Sequence, residues 1–225
     1  MYELPLFPLN TVLFPSTPIH LHIFEERYKR MINHSIEKRS PFGVVLIRRG
    51  LEALGPVVEP HHIGVTANIV HVQHIAHGRM NIVAMGEKRF RLLTLERDLY
   101  PYLVGVVRDY PIQNPDPGET GELALSLKKQ VRRFIQGMVD SGGGQLDSGG
   151  GPFDLEQLPS DPLTLAYMAA AVLQIPPHRK QELLALDQAA DLLRSLQDAY
   201  RRELALLPAL RAQGQEGMAG GFSRN

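Results

Sequence analysis

The chain contains no cysteine, which excludes disulfides, thiolate metal sites and cysteine nucleophiles. Neither charge sign prevails. Lys and Arg number 24, as do Asp and Glu, so the formal net charge is zero and no long-range field draws nucleic acid or anionic lipid to the whole surface. No apolar run reaches the roughly 18 residues of a membrane span. The opening lacks the basic start, unbroken apolar stretch and small-residue cleavage site of a secretory leader. A soluble cytoplasmic protein is therefore expected. Also missing are GxxxxGK[ST], GxSxG and HExxH, so the sequence shows no apparatus for nucleotide hydrolysis, acyl transfer or zinc-dependent cleavage.

What is present is the composition of a folded protein, 44% hydrophobic and 21% charged over 225 residues. That length suits one or two domains, and the pattern favours two. Pro5, Pro8 and Pro15 stand among Leu4, Leu6, Phe7, Leu9, Val12, Leu13 and Phe14. Proline fixes φ and has no N–H, which excludes a helix and predicts short edge strands and turns. Ile19, Leu21 and Ile23 then alternate with His20, His22 and Phe24, the period of a half-buried strand. The period changes after Glu25: Tyr28, Met31, Ile32 and Ile36 fall at helical spacing and predict a helix of about three turns. A short strand over 41–50, a loop over 51–62 and a β-branched run from Ile63 follow. The AHGR turn leads into a long strand in which Gly86 marks a bulge, and a final strand over 102–110 completes the set. Six or so strands with one early helix suggest a small barrel or curled sheet.

The breaker from Pro111 to Gly118 reads as the domain boundary, dividing a β unit (1–112) from a helical unit (119–210). Leu123, Leu127, Val131, Phe134, Ile135 and Met138 form one apolar stripe. Asp161 followed by Pro162 is an N-cap with proline at the first helical position. A further stripe runs through Leu186, Ala190, Leu193, Leu196, Tyr200, Leu204 and Leu207, so the second unit reads as a helical bundle. The glycine-rich stretch 142–151 reads as a solvated linker and residues 211–225 as a frayed tail.

The nine histidines invite a metal reading, but no paired spacing brings three or four of them to one ion. His71 and His74 have opposite parity on a strand, and no metal or other cofactor is expected. The basic clusters Arg48-Arg49, Lys88-Arg89-Arg91 and Lys128–Arg133 lack a platform of regularly spaced aromatics, so they read as solvated faces rather than a nucleic-acid surface.

The ordered run LPLFPLNTVLFP, PIHLHIFEERYKRMI, FGVVLI, IGVTANI, GRMNIVAMGEKRFRL and PYLVGVV resembles the N-terminal, substrate-binding domain of ATP-dependent Lon proteases. The likeness runs from Glu3 to about Val107 and continues more loosely through KQELLALDQAADLLRSLQDAYRREL. The resemblance implies a PUA-like pseudo-barrel of six strands followed by a C-terminal helical bundle, an α+β fold. In such proteins an ATPase and a Ser-Lys peptidase follow, whereas this sequence stops at the bundle. Neither activity is carried over, and no catalytic residue is expected. What the resemblance does imply is binding of unfolded or partly folded polypeptide, as an adaptor or quality-control factor. A cleft between the two units, lined by Phe14, Phe24 and Tyr28, is the expected peptide site, and core packing is the other reading of these aromatics. RNA binding, which occurs among PUA-like barrels, is the alternative function, and a metal-dependent enzyme a more distant third.

Overall fold

The structure is a computed structural model describing residues 1–50, 58–114, 116–140 and 158–219. The glycine-rich stretch 142–151, the start of the 51–62 loop and residues 220–225 of the expected tail lie outside the described residues. The first strand, β1 (Tyr2–Leu9), accommodates its prolines by changing partners. Tyr2–Leu6 pairs antiparallel with β7 (Leu103–Asp109), while Leu6–Leu9 pairs parallel with β3 (Phe42–Arg49). Each half of β1 thus has one strand neighbour, and a missing proline N–H can face the unpaired side. The expected edge character holds for each half of the strand but not for the strand as a whole. The apolar run Val12–Phe14 is irregular, although Leu13 and Phe14 are buried.

The described residues form seven strands, against the six or so expected. The additions are small: β4 (Glu59–Pro60) pairs with β3 inside a segment read as loop. The β-branched run forms β5 (Ile63–His74), and the long return strand is β6 (Met80–Glu96). The sheet runs β1-β7-β6-β5-β3-β4, and because β1 also pairs with β3 the ladder returns on itself. Strand β2 (Pro18–Ile23) lies off this circuit, pairing antiparallel with β6 alone among the described residues. Leu4, Leu6, Val45, Phe90, Leu92, Leu103 and Val107 form a compact cluster among the strands. At Gly64 a Cβ would lie 2.6 Å from both the Phe90 ring and the Val44 carbonyl oxygen, so only glycine lets β5 approach that closely.

Helix α1 (Glu26–Lys38) buries Tyr28, Met31 and Ile32, as their spacing predicts, but leaves Ile36 exposed. It closes on Arg39 at φ 50°, with Ser40 N–H donating to Ser35 C=O (3.0 Å) and Arg39 N–H to Ile36 C=O (3.2 Å). This is a Schellman closure in which an arginine takes the left-handed position that usually belongs to glycine. Four further helices follow: α2 (Pro117–Asp140), α3 (Pro162–Val172), α4 (Pro177–Ala185) and α5 (Ala189–Ala219). Asp161 caps α3 as expected, its carboxylate accepting from Thr164 N–H at 2.8 Å.

Sheet and helices share one apolar cluster, in which Phe7, Phe14, Tyr28 and Ile82 join Leu127, Phe134, Tyr167 and Tyr200. Polar ties reinforce the junction. Gln181 Nε2 donates to Ile63 C=O at 3.0 Å, and Gln113, within the expected boundary, exchanges 2.8 Å backbone hydrogen bonds with Asp187 and Ala189. Arg89, 3% exposed, extends from β6 and donates through Nη1 to Leu184 C=O and Leu186 C=O, both at 2.6 Å. Two carbonyls left over at the end of α4 thereby gain a charged donor.

Candidate functional site

The three aromatics expected to line a cleft are not brought together. Phe14 is completely buried, 6.3 Å from the Tyr167 ring, and holds the β2 approach against α3. Tyr28 is 4% exposed, stacked on Phe7 at 4.0 Å with the Arg27 guanidinium 4.5 Å from its ring centroid. Phe24 alone reaches the surface, 58% exposed, with the His22 ring at 5.8 Å. The surface between sheet and helices at Phe14 is filled by packing rather than open.

Two grooves lie elsewhere. The larger, about 750 Å³, runs between α4 and α5. Ile175, Pro176, Leu183, Leu186 and Ala199 make its apolar floor, and Arg179, Glu182, Asp198, Arg202 and Glu203 its rim. Arg179 pairs with Glu182 at 2.9 Å and Arg201 with Asp198, so much of this rim is neutralised within its own helices.

The smaller groove, about 290 Å³, lies between the C-terminal end of α1 and β5, lined by Ser35, Ile36, Arg39, Ser40, Asn68, Ile69, Val70, His71 and Val72. Strand β5 pairs with β3 only through Val65–Ala67; from Asn68 onward its sole strand partner among the described residues is β6. That segment offers an open edge to the groove. Val70 is 60% exposed and Ile36 37%, while Ile69 and Val72 are half-buried. One sign of this is visible in the sequence: Ile69, Val70 and Val72 break the strict alternation of a half-buried strand, leaving one more apolar side chain than a single face can cover.

In each basic cluster at least one residue has a partner within the fold. Arg48 pairs with Glu59 at 3.0 Å, Lys88 stands 3.8 Å from Glu87, and Lys128 Nζ donates to Leu158 C=O at 2.9 Å. Arg89 and Arg91 lie over the Tyr110 ring at 5.0 and 4.3 Å. Burial pulls the Arg89 and Lys180 groups below their ordinary pKa values, and the Lys180 ammonium donates to Ala171 C=O at 2.7 Å. Among the described residues no three His, Asp or Glu side chains stand close enough to hold a metal ion. Among the same residues no helix is long and apolar enough to cross a membrane.

A curled sheet with a returning ladder, a lone early helix and a packed helical bundle make up the described architecture. The sequence model of the ATP-dependent protease La (LON) substrate-binding domain matches residues 3–201, and the chain belongs to this family. The match takes in the helices as well as the sheet, further than the strong part of the sequence resemblance reached. Lon protease of Paraburkholderia phytofirmans is 26% identical over 209 residues, covering 92% of this chain and 25% of that protein. Lon protease of Parabacteroides distasonis is 34% identical over 116 residues, 50% of this chain and 14% of that protein. The chain thus spans about a quarter or less of the curated relatives it matches. The crystal structure of a Lon N-terminal domain protein from Xanthomonas campestris superposes with TM-score 0.59 at 26% identity, covering 87% of this chain and 97% of that one. The N-terminal domain of Mycobacterium avium complex Lon protease superposes with TM-score 0.66, covering 89% and 98%, and at 19% identity speaks for the fold alone.

Proposed function

We propose that this chain binds exposed apolar segments of unfolded or partly folded polypeptide and performs no chemistry on them, serving as an adaptor or quality-control factor of the Lon type. The observation that carries this reading is the substrate-binding family match across residues 3–201, sheet and helices together. The surface supports it. Phe24 and the apolar floors of two grooves offer contact to side chains that a folded partner would keep inside. Phe14 and Tyr28 serve the same role indirectly, by fixing the segments that flank Phe24. The ladder that returns through β1 supports the PUA-like pseudo-barrel class. RNA binding gains no comparable support, because Arg48 is paired with an acid and Arg89 is buried.

The test is fluorescence anisotropy with a labelled, permanently unfolded polypeptide and its folded parent. Saturable binding of the unfolded form alone is expected. Equal affinity for both forms, or no binding at high micromolar protein, would overturn the proposal.

A further inference from the structure

Three features converge on the groove between α1 and β5. The backbone of Asn68–His74 has no strand partner on its outer side among the described residues. In an extended strand alternate residues direct N–H and C=O groups outward; on either side of Val70, where the β5–β6 register shifts between Ile69 and His71, this edge is a template for one more strand. Ser35 is 2% exposed, lines the groove, and its Oγ has no hydrogen-bond partner among the described residues. A buried hydroxyl without a partner is costly and uncommon. Arg39, at the mouth, occupies a left-handed conformation at φ 50° and forms no ion pair among the described residues. Lys38 and His34 on α1 and His71 on β5 add cationic or titratable groups, with Glu37 as the neighbouring acid on the helix. Glu87, across the strand, is already held by Asn68 Nδ2 at 2.9 Å.

Resting on the polypeptide-binding reading above, we infer that this groove takes an extended segment of client polypeptide as an added strand on β5. The segment places an aspartate or glutamate side chain at Arg39 and apolar side chains against Ile36, Val70 and Val72. The geometry assigns each part a partner. The β5 edge bonds the client backbone, Ser35 Oγ donates to a client carbonyl or carboxylate oxygen, and Arg39 supplies the charge that selects an acid-bearing segment over a neutral one. A left-handed arginine is intelligible on this basis: glycine would suit the helix end better but would remove the guanidinium from the mouth of the groove.

The probes are a fluorescein-labelled, C-terminally amidated ten-residue peptide of alternating Val and Thr with one central Glu, its Gln counterpart, and a version N-methylated at alternate residues. Anisotropy with the full chain is expected to favour the Glu peptide over the Gln peptide by about fivefold, the upper range for an exposed ion pair. The N-methylated peptide is expected not to bind, and hydrogen exchange to slow at Asn68–His74 when the Glu peptide is present. Arg39→Gly, which suits the left-handed position, should remove the Glu preference without lowering the melting temperature, and Arg39→Lys should retain most of it. Equal binding of Glu and Gln peptides, tight binding of the N-methylated peptide, or a preference that requires a free C-terminal carboxylate would each overturn the inference. Unfolded polypeptide that still binds while the peptides neither bind nor compete sinks this site but spares the broader reading. Failure of both sinks both.

Discussion

Replacing Gly86 with alanine tests how the chain entry to β2 is locked to the long strand. A Cβ at Gly86 would fall 2.3 Å from the Phe14 carbonyl oxygen and 3.1 Å from its carbonyl carbon, well inside the 3.0 Å that real Cβ atoms keep from the oxygen. The clash is with backbone, so no side-chain rotation relieves it. The same residue accepts from Ser16 N–H at 2.8 Å and donates to Thr17 C=O at 2.9 Å, and Ser16 itself sits at φ 61°. Forcing an extra methyl into a closed contact costs about 1–3 kcal/mol, and stretching two backbone hydrogen bonds about 0.5–1.5 kcal/mol each. The expected loss is about 2–6 kcal/mol, which for a chain of this size lowers the melting temperature by roughly 4–24 °C. Circular dichroism melts and urea titration measure it. Gly121→Ala is the control: nothing lies within 4 Å of its Cβ and it stands inside α2, so it should gain about 0.5–1 kcal/mol. A Gly86→Ala protein as stable as the parent would refute the close approach on which this reasoning rests.

Arg89→Ala leaves the carbonyls of Leu184 and Leu186 without their charged donor and opens a cavity, and should cost about 2–4 kcal/mol by urea titration. Phe14→Ala should cost about 3–5 kcal/mol, whereas Phe24→Ser should change stability by under about 0.5 kcal/mol yet weaken binding of unfolded polypeptide, separating a core ring from a surface one. The Tyr2 hydroxyl, partly buried and donating to Asp109 at 3.0 Å, has its pKa pushed up from 10.0 to about 12. The neutral phenol is the form favoured on folding, so its contribution is full below pH 10 and disappears as pH rises from 10 to about 12. In alkaline urea titrations Tyr2→Phe should therefore flatten the loss of stability across that window, and an unchanged slope would contradict the assignment.

Local chemistry was legible in the sequence wherever one residue type decides a backbone state. The Asp161-Pro162 start of α3, the change of period at Glu25 and the bulge read at Gly86, next to which the β5–β6 register shifts, are all of this kind. The partners of β1 were not legible, because proline excludes a donor but does not say which neighbour lies on which side. That β1 passes from β7 to β3 at Leu6 is a long-range outcome. Phe14, Phe24 and Tyr28 look alike as aromatics in a short stretch. Yet burial separates them: Phe14 meets Tyr167 on α3, Tyr28 meets Phe7 on β1, and Phe24 follows a strand with only one partner among the described residues. The β5 groove depends on where β3 stops pairing, and only the extra valine at position 70 signalled it beforehand.

The most direct measurement is photo-crosslinking of a labelled unfolded polypeptide to the full chain, with the joined residues mapped by mass spectrometry. Crosslinks are expected to concentrate around Phe24 and along the two grooves, with none from the folded form of the same polypeptide. Crosslinks scattered evenly over the surface, or equal yields from folded and unfolded forms, would contradict that expectation.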